Sequence, residues 1–215
     1  MQVSSRSRGL SNVEQVTLDT YEAQASQCAD ARSDPDFWVP ELEHCQQLLP
    51  EGSVLDVGSG NGRDAILLTS RGYQVTGVDI SQSLLDIAAE HCPQADFVHG
   101  SVYPLPFDDQ QFQSAWAAAL LLHLPKKKLP QALDEINRVL EPGGIAFVTV
   151  KEGQGEEMLK GEFGENYSAF YEEDEMRERI EDAGFEIMHS RRRNAGGADW
   201  VCVYGRKPNQ IALNV

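Results

Sequence analysis

Two acids and three glycines are the residues of this sequence best placed to do chemistry. In Asp56-Val57-Gly58-Ser59-Gly60-Asn61-Gly62 an acid stands just before glycines at alternate positions, and Asp79 follows about a βα unit later. Glycine has no Cβ, so such a loop can turn tightly and let a ligand rest directly on its backbone. Amides opening the next helix would face that ligand with partial positive charge. Asp79 ends the apolar run Gln74-Val75-Thr76-Gly77-Val78, where a carboxylate suits the two hydroxyls of a ribose. Asp56 would repel a pyrophosphate but welcome an ammonium group. The spacing is GxGxG, not the GxGxxG of dinucleotide sites.

The elements that must hold these residues follow from the surrounding pattern. Val54 to Val57 is a short β-branched strand, and Asp64 to Arg71 the first crossover helix, punctuated by Gly72. Ser81 is placed to cap a helix over Gln82 to Glu90. Further strands are expected at Asp96 to His99, Ser114 to Ala117 and Ile145 to Val150, with an amphipathic helix over Leu129 to Leu140. Strands alternating with helices imply a parallel sheet. A helical pattern from Phe37 to Leu49 shares a face among Trp38, Leu42, Cys45 and Leu49. A helix over Glu172 to Ala183 precedes two last strands, Phe185 to Met188 and Trp200 to Tyr204. Residues 1–16 lack a period and are expected to be flexible; 17–215 read as one domain.

With these residues in place, the chain resembles the class I S-adenosylmethionine-dependent methyltransferases of small-molecule type. The resemblance runs from about Thr20 to Arg206. Residues Asp56 to Gly62 look like the family's glycine motif and Val78-Asp79 like its ribose-binding acid. Gly100-Ser101-Val102 is similar to its adenine segment, with Ser101 where an acid is usual. Leu140-Glu141-Pro142-Gly143-Gly144 matches its helix-to-strand turn. Tyr21-Glu22 resembles an N-terminal lid pattern, with Glu22 in place of Asp and Cys28 in place of a second aromatic. The implied fold is α/β, a Rossmann-like doubly wound sheet, mostly parallel, with a C-terminal antiparallel hairpin. The implied cofactor is S-adenosylmethionine, released as S-adenosylhomocysteine, with no metal. The implied cofactor set is Tyr21, Asp56, Gly58, Ser59, Gly60, Asn61, Gly62, Asp79, Ile80, Ser101, Val102, Ala118 and Ala119.

Chemistry beyond the cofactor is less marked. His123 follows Ala117-Ala118-Ala119 at the carboxyl end of strand four, where ligands of open α/β sheets lie. It is the catalytic candidate, as a base toward a nucleophile or a group that orients the substrate. The polar segment 151–171 follows strand five and is expected to roof the substrate pocket as a lid loop. Lys151, Tyr167 and Tyr171 are its substrate-contact candidates. A sulfonium-bound methyl is electrophilic by itself, so alignment of an N, O or S acceptor behind it is the main requirement. Such alignment supplies about 7–11 kcal/mol.

Composition limits the partners. The 215 residues carry a net charge of −16, which repels nucleic-acid backbones. Lys126-Lys127-Lys128 reads as a solvated helix start and Arg191-Arg192-Arg193 as charge guarding a sheet edge. No apolar run is long enough to span a membrane, and Met1 to Gly9 does not read as a secretion signal. Cys28, Cys45, Cys92 and Cys202 lack metal or redox spacing and read as reduced thiols in the cytoplasm. The expected partner is a small-molecule acceptor, the protein being a monomer or homodimer. Two other readings stand: a catalytically silent cofactor-binding module acting through a partner, and a nucleotide-cofactor oxidoreductase.

Overall fold

The computed structural model describes residues 10–31, 34, 36–48, 52–161 and 163–209. The chain begins with α1 (Asn12–Ala23), α2 (Ala25–Ala31) and α3 (Val39–Cys45). There follow β1 (Ser53–Val57), α4 (Arg63–Ser70), β2 (Gln74–Asp79), α5 (Gln82–His91), β3 (Asp96–His99) and β4 (Phe112–Ala118). Two short 3₁₀ turns then lead into α6 (Leu129–Val139) and β5 (Leu140–Lys151). The remainder is β6 (Glu156–Gly161), β7 (Gly164–Ala169), α7 (Glu173–Asp182), β8 (Glu186–Ala195) and β9 (Ala198–Arg206).

Seven strands form one sheet in the order β3-β2-β1-β4-β5-β9-β8. The first five are parallel, and β9 runs antiparallel between β5 and β8. This is the Rossmann-like doubly wound sheet with the antiparallel hairpin expected from the sequence. β1 and β4 are neighbours although β2 and β3 lie between them in the chain, so strand order switches there. A crevice opens outside the carboxyl ends at such a point. Helices clothe both faces. On α6, Leu129, Ala132, Leu133, Ile136 and Val139 are buried at helical spacing. Burying each of the larger ones stabilises the fold by about 1.5–3 kcal/mol.

Several boundaries differ from the sequence reading. Residues 12–16, expected to be flexible, are the first turns of α1, started by a capping box between Ser11 and Glu14. Residues 1–9 lie outside the described residues, as do Leu49 and the side chain of Cys45. β5 starts at Leu140, because Phe112 pairs with Leu140 and Ser114 with Ile145 around an irregularity. The Pro-Gly-Gly turn is therefore a bulge of the strand pairing. The hairpin β8–β9 is longer than expected and turns at Gly196-Gly197, both at positive φ.

The segment 151–171 is not a loop. β6 and β7 pair antiparallel as a separate two-stranded hairpin, with Met158 opposite Tyr167. It is fastened to α1: the Tyr167 amide donates to Thr17 Oγ1 at 2.9 Å, and Thr20 Oγ1 donates to the Glu165 carbonyl at 2.7 Å. Helix and hairpin form one roof.

The arginine run does lie on the edge strand β8, yet it is not a solvated guard. Arg191 and Arg193 both donate to the carboxylate of fully buried Glu41 on α3, and Arg192 pairs with Glu152 at 2.9 Å. The lysine run is likewise engaged. Lys126 donates to Glu175, and Lys128 to Glu14.

Candidate functional site

A cavity of about 790 Å³ opens at the carboxyl ends of β1, β2 and β4, under the roof of α1 and the β6–β7 hairpin. Its floor is the glycine loop. The amides of Gly58 and Ser59 donate to the Val78 carbonyl at 2.8 and 3.1 Å, lashing the loop to the end of β2. The Gly60 amide donates to Asp79 Oδ2 at 3.0 Å and the Ser81 amide to Asp79 Oδ1 at 2.8 Å. Each Asp79 oxygen keeps a lone pair for a further donor. Burial pushes the Asp79 pKa above its ordinary value, against these hydrogen bonds.

The glycines have different reasons to be glycine. At Gly60 (φ +52°) a Cβ would meet nothing within 4 Å and would stand in the cavity. At Gly58 it would strike Leu120 at 2.8 Å, and at Gly62 it would strike Ala88 of α5 at 3.0 Å. Gly62 thus serves helix packing and is not part of the cavity wall.

Two buried acids adjoin the floor, Asp64 in the cavity wall and Asp56 in the layer beneath it. Asp64 accepts from Arg63 Nε at 2.6 Å and from Trp116 Nε1 at 3.0 Å. Asp56 is buried, and its Oδ2 has no hydrogen-bond partner among the described residues. Burial first, then repulsion from Asp64, pushes its pKa well above the usual carboxylate range. It does not line the cavity, so its expected contact with an ammonium group is corrected to an influence from the layer beneath. Ser59 Oγ, also buried and unpartnered, is in the cavity wall.

The roof brings His123 and Tyr21 together. Tyr21 Oη lies 3.1 Å from His123 Nε2, and His123 Nδ1 lies 2.8 Å from the Tyr167 carbonyl. A carbonyl only accepts, so Nδ1 carries the proton and Nε2 of the neutral ring is the acceptor.

Of the residues singled out from the sequence, Tyr21, Gly58, Ser59, Gly60, Asn61, Asp79, Ile80, Ser101, Val102, Ala118, Ala119, His123 and Lys151 line this cavity. Asn61 also ties the loop to α2, its Nδ2 donating to the Ala29 carbonyl at 3.0 Å. Ser101 Oγ accepts from the Tyr103 amide at 3.2 Å. Tyr167 and Tyr171 are corrections, for neither reaches the cavity wall. The Tyr167 hydroxyl donates to Glu156 at 2.5 Å, and Tyr171 is fully buried beneath Lys126, whose ammonium sits 4.5 Å from the ring centroid. Leu159, Lys160 and Asn166 of the hairpin face the cavity instead. Glu14, Trp38, Arg63 and Asp64 also line the cavity, though nothing in the sequence marks them as site residues except at Glu14. The Ser11-x-x-Glu14 capping signature was there to be found.

A family model described as a methyltransferase domain matches residues 54–144, which run from β1 through the glycine loop to the Pro-Gly-Gly turn. That stretch, with the glycine loop and Asp79 inside it, is similar to the methyltransferase family. A demethylmenaquinone methyltransferase of Chlorobaculum tepidum is 35% identical over 99 residues, which are 46% of this chain and 40% of that protein. A 27-O-demethylrifamycin SV methyltransferase of Amycolatopsis mediterranei is 31% identical over 147 residues, 62% of this chain and 53% of that one. The chain thus spans about half or less of the curated relatives it matches. Among solved structures, the 1,6-didemethyltoxoflavin-N1-methyltransferase of Burkholderia thailandensis superposes with a TM-score of 0.74 at 23% identity. That match covers 94% of this chain and 93% of the other, and it bears on the fold alone. Among the described residues no helix is long and apolar enough to cross a membrane.

Proposed function

We propose that the chain is an S-adenosylmethionine-dependent methyltransferase acting on N, O or S of a small-molecule acceptor, releasing S-adenosylhomocysteine. One observation carries the reading: a bare Gly60 backbone and a doubly anchored Asp79 carboxylate face the same cavity as the Tyr21–His123 pair. The residues fit the cofactor. Gly60 leaves a cradle that a Cβ would fill, Ser59 Oγ offers an unpartnered acceptor in the wall, and the Asp56 carboxyl in the layer beneath favours a cationic group above it. Asp79 would hold the ribose hydroxyls, and Ser101 and Val102 would border the adenine. Bound there, the cofactor supplies a methyl group made electrophilic by a sulfonium.

The chain's own part is alignment, exclusion of water and proton handling. α1 and the β6–β7 hairpin close over the crevice and dry it. Ala118 and Ala119, small at the end of β4, let a ligand lie close to the backbone. His123 Nε2, with Nδ1 fixed by the Tyr167 carbonyl, is the acceptor for a proton leaving the nucleophile, and Tyr21 is the group through which that proton passes. Lys151, at the end of β5, reaches the cavity as a substrate contact. The buried thiols of Cys92 and Cys202 fit a reducing cytoplasm.

Calorimetry with S-adenosylmethionine, S-adenosylhomocysteine and NAD tests the cofactor. Binding of the first two and not the third supports the reading, and the reverse establishes the oxidoreductase alternative. Turnover on an acceptor panel separates an enzyme from a silent binding module.

A further inference from the structure

We propose that Glu14 selects the methyl acceptor, its Oε1 receiving an N–H or O–H from an uncharged, largely apolar molecule lying under α1. The proposal deepens the function given above and rests on it. Glu14 is 5% exposed and lines the cavity. Three donors converge on one of its oxygens: the Ser11 amide at 2.8 Å, Ser11 Oγ at 2.6 Å and Lys128 Nζ at 2.9 Å, all to Oε2. The other oxygen, Oε1, is buried and has no hydrogen-bond partner among the described residues. A capping box needs only one carboxylate oxygen. The second is a charged acceptor without a donor, a costly thing to bury unless a ligand supplies one.

The surroundings define that ligand. Lys128 already balances the Glu14 charge, so an ammonium on the acceptor would bring an excess positive charge into a closed space. An uncharged donor fits. Leu18, Val102, Leu122, Leu124 and Leu159 line the cavity and ask for an apolar body. Glu14, Thr17, Leu18 and Tyr21 share the inner face of α1. Glu14 and Tyr21 are two helical turns apart, a rise of about 10 Å. The acceptor therefore has the length of two to three fused rings, its donor at one end and its methylated atom near the Tyr21–His123 pair at the other.

The test uses two planar tricyclic probes of similar size, carbazole with an N–H and 9-fluorenone with a carbonyl. Each is titrated into the free protein and into protein saturated with S-adenosylhomocysteine. Wild type is expected to prefer carbazole by about tenfold or more, the weight of one hydrogen bond to a charged oxygen. In Glu14→Gln the three donors claim the amide oxygen and turn the NH₂ into the cavity, so the preference inverts. An unchanged carbazole-to-fluorenone ratio in a cooperatively melting E14Q protein overturns the proposal. A crystal structure of wild type with carbazole gives a second readout that needs no variant. The ring nitrogen within about 3.2 Å of Oε1 supports the proposal, and a nitrogen placed elsewhere overturns it. Discrimination between the probes without binding of S-adenosylhomocysteine upholds Glu14 and overturns the cofactor reading alone.

Discussion

Tyr21 and His123 meet edge to face, ring centroids 5.6 Å apart and planes at 76°, with the phenol oxygen 3.1 Å from Nε2. One comes from the first helix and the other from the turn after β4, so the pair exists only when α1 is seated on the sheet. The Tyr167 carbonyl holds the far side of the imidazole and brings the hairpin into the same unit. The acid–base role proposed for the pair would thereby be conditional on a closed roof.

If His123 takes the proton of the nucleophile, His123→Gln should lower kcat by about 10²-fold or more. Tyr21→Phe keeps the ring and removes the hydroxyl, and should cost about tenfold. Both variants should bind S-adenosylmethionine within about threefold of wild type. Single-turnover rates and calorimetry on the same preparations measure the two effects separately. Unimpaired turnover in His123→Gln would leave alignment alone as the source of rate.

If Gly60 cradles the cofactor and Gly62 serves packing, the two glycines should respond differently to alanine. Both have positive φ, so alanine at either strains the backbone by about 1–2 kcal/mol. Gly60→Ala places its methyl in open cavity and should melt about 2–8 °C below wild type. It should weaken S-adenosylmethionine binding by more than tenfold. Gly62→Ala adds a contact at 3.0 Å with Ala88 and should melt lower still, while its folded fraction binds better than Gly60→Ala does. Equal binding losses in the two would refute the assignment.

The sheet, its glycine loop and Asp79 were legible because they rest on local chemistry: β-branched runs buried on both faces, glycines at positive φ, Ser81 capping α5 through the Leu84 amide. What escaped depends on distant partners. β6 and β7 are nearly all polar outside Met158, Leu159, Tyr167 and Ala169, so alternation gave no strand signal, and tertiary bonds from Thr17 and Thr20 supply their order. Tyr167 and Tyr171 attracted attention as exposed-loop aromatics, and burial against Glu156 and Lys126 removed them from the cavity. Arg191 to Arg193 looked like an edge guard because Glu41, some 150 positions earlier, could not be foreseen as their partner.

That clamp carries its own prediction. Glu41 is fully buried and satisfies Arg191 and Arg193 at once, while Tyr204 Oη donates to its carbonyl at 3.2 Å. Removing one member of a buried ion cluster leaves the others uncompensated and costs about 3–5 kcal/mol. Glu41→Ala should therefore lower the melting temperature by about 6–20 °C. Arg192→Ala, whose partner Glu152 is itself partly exposed, should change it by no more than a few degrees. Thermal melts of the two variants side by side decide the matter; equal effects would mean that the cluster is not what holds α3 to β8.

Asp56 links stability to the ligand. Its pKa is raised by burial and by Asp64, so the folded chain keeps a proton that the unfolded chain has already released. Stability contributed by this group is thus lost as pH rises from the ordinary value of 3.8 through the raised folded pKa, and the full cost is felt above it. Asp79 acts with the same sign. Asp56→Asn removes the charge at nearly constant volume. Without ligand, the variant should melt above wild type at pH 7.5, by about 2–12 °C for a relief of about 1–3 kcal/mol. The gap should close toward pH 4. A cationic ligand reverses the balance, because the carboxylate that burdens the empty fold favours a positive charge in the cavity above it. The same variant should bind S-adenosylmethionine at least several-fold more weakly at pH 7.5. Melts across pH 4–8 with and without the compound read both effects, and a variant that melts below wild type at pH 7.5 would show that the Asp56 charge is already compensated in the folded protein.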